Sequence, residues 1–209
     1  MNDLSLLLKE GKALPLMEEF ISIQGEGFHS GEAAYFLRIG GCDVGCSWCD
    51  EKESWNSSRH PLTLTDTIIE NILNQSLKSV IITGGEPLMY DLSYLCEKLK
   101  ENNIRLFLET SGSHALSGSW DWIALSPKKK FPPLQSIFSF ADELKVIIHD
   151  DNDFAWAEQN ALLVNSACML YLQPEWSRRE KYLPMIIDYI QKNPQWKLSV
   201  QMHKYLHIP

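Results

Sequence analysis

The chain has 209 residues, 44% of them hydrophobic, and a formal net charge of −8. That length can bury a full core in one domain over 1–209, and the acidic balance excludes a broad basic face for nucleic acid while allowing a local basic pocket. No apolar run approaches the roughly eighteen residues of a membrane span, and the opening M-N-D-L-S-L-L-L-K-E lacks the features of a secretory signal. The expected location is therefore cytoplasmic, where clustered cysteines favour metal or redox chemistry over disulfides.

Along the chain, short β-prone apolar runs recur at Leu16–Ile23, Ala33–Ile39, Ser79–Thr83, Ile104–Glu109, Trp122–Leu125, Glu143–Ile148, Cys168–Gln173 and Lys197–Met202. Helical patterns lie between several of them. Thr65–Gln75 carries Ile68, Ile69, Ile72 and Leu73 behind a cap at Thr63 or Thr65. Asp91–Asn102 sets Leu92, Leu95, Cys96 and Leu99 on one face, and Asp153–Asn160 and Lys181–Lys192 are expected to be helices too. Strands alternating with helices predict α/β architecture with parallel βαβ units and a buried sheet. A closed eight-fold barrel needs about 250 residues, so an incomplete, TIM-like parallel β/α barrel is expected.

In such architectures chemistry collects at the C-terminal ends of the strands. Here the second run ends in R-I-G-G-C, the third in T-G-G-E-P (Thr83–Pro87) and the fourth in E-T-S-G (Glu109–Gly112). The fifth ends in S-P-K (Ser126–Lys128) and the seventh in Q-P-E (Gln173–Glu175). Glycine and proline end many strands for no reason beyond geometry. Five polar ends on one rim point to a site.

Three of the five cysteines stand within eight residues, as Cys42, Cys46 and Cys49 in C-x3-C-x2-C. Three thiolates and a histidine, with His60 nearest downstream, would make a zinc site, but no second ligand pair follows. Cys96 and Cys168 lie singly on apolar runs and read as core residues. Soft thiolates also select iron–sulfur clusters. Three thiolates would hold three irons of a 4Fe-4S cubane and leave the fourth iron open to a ligand.

The C-x3-C-x2-C run with Trp48 before its last cysteine, followed by G-G-E-P, resembles the signature of the radical S-adenosylmethionine superfamily. S-I-Q-G-E-G at Ser22–Gly27, W-C-D, E-T-S-G, S-P-K and the tail Q-M-H-K-Y-L-H-I-P extend the resemblance through nearly the whole chain, to the 7-carboxy-7-deazaguanine synthase family. The resemblance implies that S-adenosylmethionine chelates the open iron and yields a 5′-deoxyadenosyl radical, with no protein side chain as the reactive species. It implies a ring contraction of 6-carboxy-5,6,7,8-tetrahydropterin to 7-carboxy-7-deazaguanine with loss of ammonia, S-adenosylmethionine used catalytically and Mg2+ beside the substrate. An external electron donor such as flavodoxin and a homodimer are implied likewise.

By the same resemblance Ile23, Gln24, Gly25, Glu26, Arg38, Thr83, His203 and Pro209 contact the substrate, Pro209 through its terminal carboxylate. The residue types suit a pterin: Gln24 and Glu26 can read its amino-pyrimidinone edge, and Arg38 can pair with its carboxylate. Ser47, Trp48, Cys49, Gly85, Ser111, Ser126, Pro127, Lys128, Lys145 and Gln173 are expected around S-adenosylmethionine. Side-chain-free backbone at Gly84 and Gly85 would let the cofactor's ammonium approach. After W-C-D the family has serine or threonine as the magnesium ligand, and this chain has Glu51, a hard-oxygen alternative. Two rivals share part of this pattern: an activase that makes a glycyl radical on a partner protein, and a non-catalytic zinc-stabilised module. The activase has no use for I-Q-G-E-G or a buried terminal proline, and a brown colour with broad visible absorbance separates the zinc module from both enzymes.

Overall fold

Residues 3–209 are described in the computed structural model. Side chains of a strand point alternately to opposite faces, and the central strands use both. In β4 (Ser79–Gly84), β5 (Arg105–Thr110) and β7 (Glu143–Ile148) one set is wholly apolar: Val80 and Ile82, Leu106 and Leu108, Leu144, Val146 and Ile148. That set packs under α2 (Thr65–Leu73), α3 (Ser93–Glu101), α4 (Asp153–Ala161) and α5 (Arg179–Lys192), which contribute Ile68, Ile72, Leu95, Leu99, Ala157, Tyr182 and Ile186 to one core. Each fully buried aliphatic side chain there contributes about 1.5–3 kcal/mol. The other set mixes polar and charged residues, with Thr83, Glu109 and Lys145 looking inward above a small apolar cluster of Ala34, Phe36, Ile81 and Phe107.

The sheet has nine strands. The remaining ones are β1 (Ala13–Ile23), β2 (Ala33–Ile39), β3 (Leu62–Leu64), β6 (Trp122–Leu125), β8 (Met169–Pro174) and β9 (Trp196–Leu198), in the order β3-β1-β2-β4-β5-β6-β7-β8-β9. From β2 to β9 every neighbouring pair is parallel, and the edge strands β3 and β9 do not meet, so the barrel is partial, as expected.

Four details differ from the sequence reading. β1 runs antiparallel to β2, pairing Ile23 with Ala33 and Glu18 with Arg38. Strand periodicity is the same for either direction, so the sequence carried no sign of this. The run at Lys197–Met202 pairs only over Trp196–Leu198. Ser199 then donates from Oγ to Gln173 Oε1 at 2.6 Å, and Met202 opens α6 (Met202–Leu206). No side chain caps α2, because Thr65 Oγ1 donates to the Gly11 carbonyl at 2.7 Å instead. Finally, α1 (Asp3–Lys9) and β3 were not anticipated. Among the described residues no helix is long and apolar enough to cross a membrane.

Candidate active site

The strand ends do converge. They line a cavity of about 540 Å³ together with the cysteine loop, the turn after β1 and the tail. Because β1 is antiparallel, Gln24–Glu26 enter from the N-terminal end of the parallel strands and form a floor. Below them Phe28 stacks on Trp122 with ring centroids 4.8 Å apart, and His29 stacks on Phe107 at 4.4 Å. The buried Glu143 carboxylate accepts from Phe28 N at 2.9 Å, and burial pushes its pKa up. Gly27 has φ +66°, and a Cβ there would enter that carboxylate. The barrel is thus plugged by side chains beneath the cavity.

On the floor, Lys145 Nζ donates to Glu26 Oε2 at 2.7 Å and to Glu109 Oε2 at 2.9 Å. Burial pushes the Glu26 carboxyl up, but the Lys145 charge and hydrogen bond outweigh it and hold it below its ordinary value. Burial likewise opposes the Lys145 ammonium, and the charges of Glu109 and Glu26 hold its pKa above the usual lysine value. Gln24 is spent on bracing: its Nε2 donates to Glu109 Oε1 at 3.0 Å and its Oε1 accepts from Glu26 N at 3.2 Å. One carboxylate oxygen of Glu26 is left for a ligand.

The cysteine loop follows β2. Gly41 and Gly45 take φ of +108° and +60°, conformations that favour glycine. Cys42, Cys46 and Cys49 all line the cavity as free thiols. Burial raises the Cys42 thiol pKa against hydrogen bonds from Val44 and Gly45 N–H, and raises that of Cys46 against the nearby Lys128 charge. Three cysteines on one loop facing a roomy cavity fit a cluster whose irons take one thiolate each. Among the described residues no three His, Cys, Asp or Glu side chains converge on a single ion position. His60 does not join the thiols, its Nε2 lying 3.0 Å from the Glu53 carbonyl oxygen.

Gly84 and Gly85 have a structural cause besides any ligand. A Cβ on Gly84 would enter the Ile39 backbone, and one on Gly85 the Gly41 carbonyl. Glu86 then locks the rim: it accepts from Thr110 Oγ1 and Ser111 Oγ, each at 2.5 Å, and from Ser111 N at 2.8 Å. Lys128 Nζ donates to Ser126 O and Oγ at 2.6 Å and sits 5.6 Å from the Trp48 ring centroid. Burial lowers the Lys128 pKa.

The tail closes the remaining side. Met202 N donates to the Gly25 carbonyl at 2.9 Å, Gly25 leaves no room for a Cβ beside the His203 ring, and Ser22 Oγ donates to Pro209 O at 2.9 Å. Burial pushes the His203 pKa down against the Glu26 charge, so its imidazole is neutral near pH 7.

Of the residues named from sequence, Ile23, Gln24, Gly25, Glu26, Arg38, Thr83, His203 and Pro209 all line the cavity. So do Trp48, Gly85, Ser111, Ser126, Lys128, Lys145, Gln173, Glu51 and the three clustered cysteines. Two do not: Ser47 is exposed, and Pro127 is buried between two inward-facing neighbours. Cys96 and Cys168 are buried in the core under the helices, as expected. Sequence reasoning did not single out Glu109, Glu86 and Asp50, although all three stand inside motifs it quoted.

An open parallel sheet with such a cysteine loop and a G-G-E-P strand end defines a class, and the Radical SAM superfamily matches residues 37–150. The 7-carboxy-7-deazaguanine synthase of Flavobacterium psychrophilum is 51% identical over 207 residues, covering 99% of this chain and 98% of that protein. The protein of the same name from Synechocystis sp. is 47% identical over 194 residues, covering 93% of each. The crystal structure of QueE from Escherichia coli superimposes with a TM-score of 0.83 at 28% identity, covering 97% of this chain and 100% of that one. The chain belongs to the 7-carboxy-7-deazaguanine synthase family, within the radical SAM superfamily.

Proposed function

We propose that this chain converts 6-carboxy-5,6,7,8-tetrahydropterin to 7-carboxy-7-deazaguanine and ammonia, in 7-deazaguanine (queuosine precursor) biosynthesis in the cytoplasm. Substrate and product differ by one ammonia, so the conversion needs no net oxidant and S-adenosylmethionine can be regenerated. The observation that carries the reading is a single cavity, of the size usual for small-molecule sites, shared by three thiols and a Glu26–Lys145–Glu109 floor.

Cys42, Cys46 and Cys49 would hold the 4Fe-4S cluster, with Trp48, Gly85, Ser111, Ser126, Lys128 and Gln173 around S-adenosylmethionine. When bound, the pair supplies a hydrogen-abstracting radical, after one electron from an external donor such as flavodoxin. Glu26 presents its free carboxylate oxygen to the donor edge of the pterin ring, and Lys145 holds that carboxylate ionised. His203, neutral and wedged against Gly25, can donate or accept a hydrogen bond at the ring. Arg38 faces the substrate carboxylate, Glu51 takes Mg2+ beside it, and Thr83 and Pro209 complete the pocket. The floor plug closes the cavity from below, which limits the access of water to a reactive radical. The family likeness supports a homodimer.

A protein-radical activase would need an open groove for a polypeptide, whereas here the tail residues His203 and Pro209 line the cavity. The test is anaerobic turnover by cluster-reconstituted protein with reductant, S-adenosylmethionine and the carboxytetrahydropterin, read by mass spectrometry. The deazapurine and ammonia in equal amounts are expected. Reductive cleavage of S-adenosylmethionine with no deazapurine would overturn the substrate assignment.

A further inference from the structure

The cysteine loop and the tail are far apart in sequence and meet at Asp50. This residue directly follows Cys49, and its Oδ2 accepts from Gln201 Nε2 at 2.9 Å and from Lys204 Nζ at 2.6 Å. Lys204 Nζ also donates to Gln201 Oε1 at 3.1 Å, so the three side chains close a small network. Gln201 is buried at 8% exposure, and Lys204 lies 5.3 Å from the Trp176 ring centroid, with Tyr205 edge-on to the same ring.

The tail helix these bonds hold has five residues, far below the length at which a helix is stable by itself. Its position must come from tertiary contacts. Those to Gly25 and Ser22 tie it to the floor, and those to Asp50 tie it to the loop that carries the thiols.

We propose that Asp50 is a positioning residue that couples the two halves of the site. By fixing Gln201 and Lys204 to the cysteine loop, it makes an ordered, cluster-loaded loop and a closed substrate pocket favour one another. A loop disordered by loss of its iron releases the tail, and His203 with it. An isolated ion pair with a carboxylate 56% exposed would contribute little. Here the same oxygen also serves a buried amide, so the network resists opening more than a lone pair does. The pterin enters only one arm of the argument, which rests there on the function proposed above.

Amide hydrogen exchange over residues 200–209 tests the coupling without any substrate. In the cluster-loaded protein, Asp50→Ala should accelerate exchange of this segment about tenfold, the equivalent of about 1.4 kcal/mol, with iron content unchanged. Stripping the cluster from the unaltered protein should accelerate it similarly, and stripping it from the Asp50→Ala protein should add little. Lys204→Met, on the tail side, should behave like Asp50→Ala, which keeps the test available if the loop variant fails to load iron. If the pterin is the substrate, both variants raise its KM more than they lower kcat. Exchange unchanged in both variants, or cluster removal loosening the tail equally with and without Asp50, would overturn the coupling. Coupling intact in a protein that leaves the pterin unturned would overturn only the substrate assignment.

Discussion

Arg38 and Glu51 form an ion pair, Nη1 to Oε2 at 2.7 Å, with the guanidinium also 3.0 Å from Glu18 through Nε. The sequence pairs Arg38 with a substrate carboxylate and Glu51 with magnesium, and in the structure the two side chains satisfy one another. Burial raises the Glu51 pKa more than Arg38 lowers it, so the carboxylate favours a counter-charge. A magnesium ion on Glu51 would supply that charge and release Arg38 to the substrate. Arg38→Ala is expected to raise the pterin KM about ten- to a hundred-fold, since a charge-assisted contact contributes about 1.5–3 kcal/mol. Glu51→Ala should shift the magnesium titration of activity to higher concentration, and Glu51→Thr should stay active. A magnesium titration identical in all three proteins would remove the ion from Glu51.

Alanine at Cys42, Cys46 or Cys49 should abolish iron binding and turnover together. Cys96 and Cys168 are buried against the helices at 1% and 9% exposure, and burial holds the Cys96 thiol up at about 11. Cys96→Ala should therefore keep its iron and lose about 1 kcal/mol to packing. Iron content and thermal melting of the four variants decide this, and a folded, iron-free Cys96→Ala protein would contradict the assignment.

Lys145 is the cation between two floor carboxylates, with a side chain 5% exposed. Lys145→Met leaves buried charge without a partner and should cost about 3–5 kcal/mol at neutral pH. The pH dependence should also change sign. In the unaltered chain Glu26 lies below its ordinary 4.5, so its contribution is complete above that value and is lost as pH falls through the lower folded value. Without Lys145 the buried carboxyl binds a proton more readily than in the unfolded chain, and stability should rise as pH falls from about 7 to about 5. Urea unfolding across that range measures both proteins.

Gly25→Ala drives a methyl group into the His203 ring. Overpacking of this kind costs about 1–3 kcal/mol, and here it pushes the tail off the floor. The variant should bind iron normally and lose affinity for the pterin. Unaltered affinity would show that His203 does not report on the pterin side of the cavity.

How much of this was legible in advance follows the range of each signal. The thiols and the G-G-E-P end are local patterns legible at strand ends, whereas I-Q-G-E-G comes to the same cavity through the family resemblance and from an antiparallel strand. Glu109 and Asp50 stood in view within E-T-S-G and W-C-D, but what they do depends on Lys145, 36 residues on, and Lys204, 154 residues on. No spacing rule reaches that far. The direction of β1 was invisible because parallel and antiparallel partners ask for the same alternation. The tail was read as a strand through Met202 because its apolar run continues, and what ends the pairing is Ser199 bonding to a distant glutamine.

The way the floor and the tail are separated along the chain has a bearing on how the protein is made. The turn between β1 and β2 that carries Gln24–Glu26 is made within the first few dozen residues, although its partners Glu109 and Lys145 come later. Pro209 reaches Ser22 across 187 positions. Since chains emerge N-terminus first at about 5–20 residues per second, the thiol-bearing loop is synthesised well before Gln201 and Lys204, the side chains that hold Asp50. Through that interval the loop lacks the two side chains that later fix its Asp50 end.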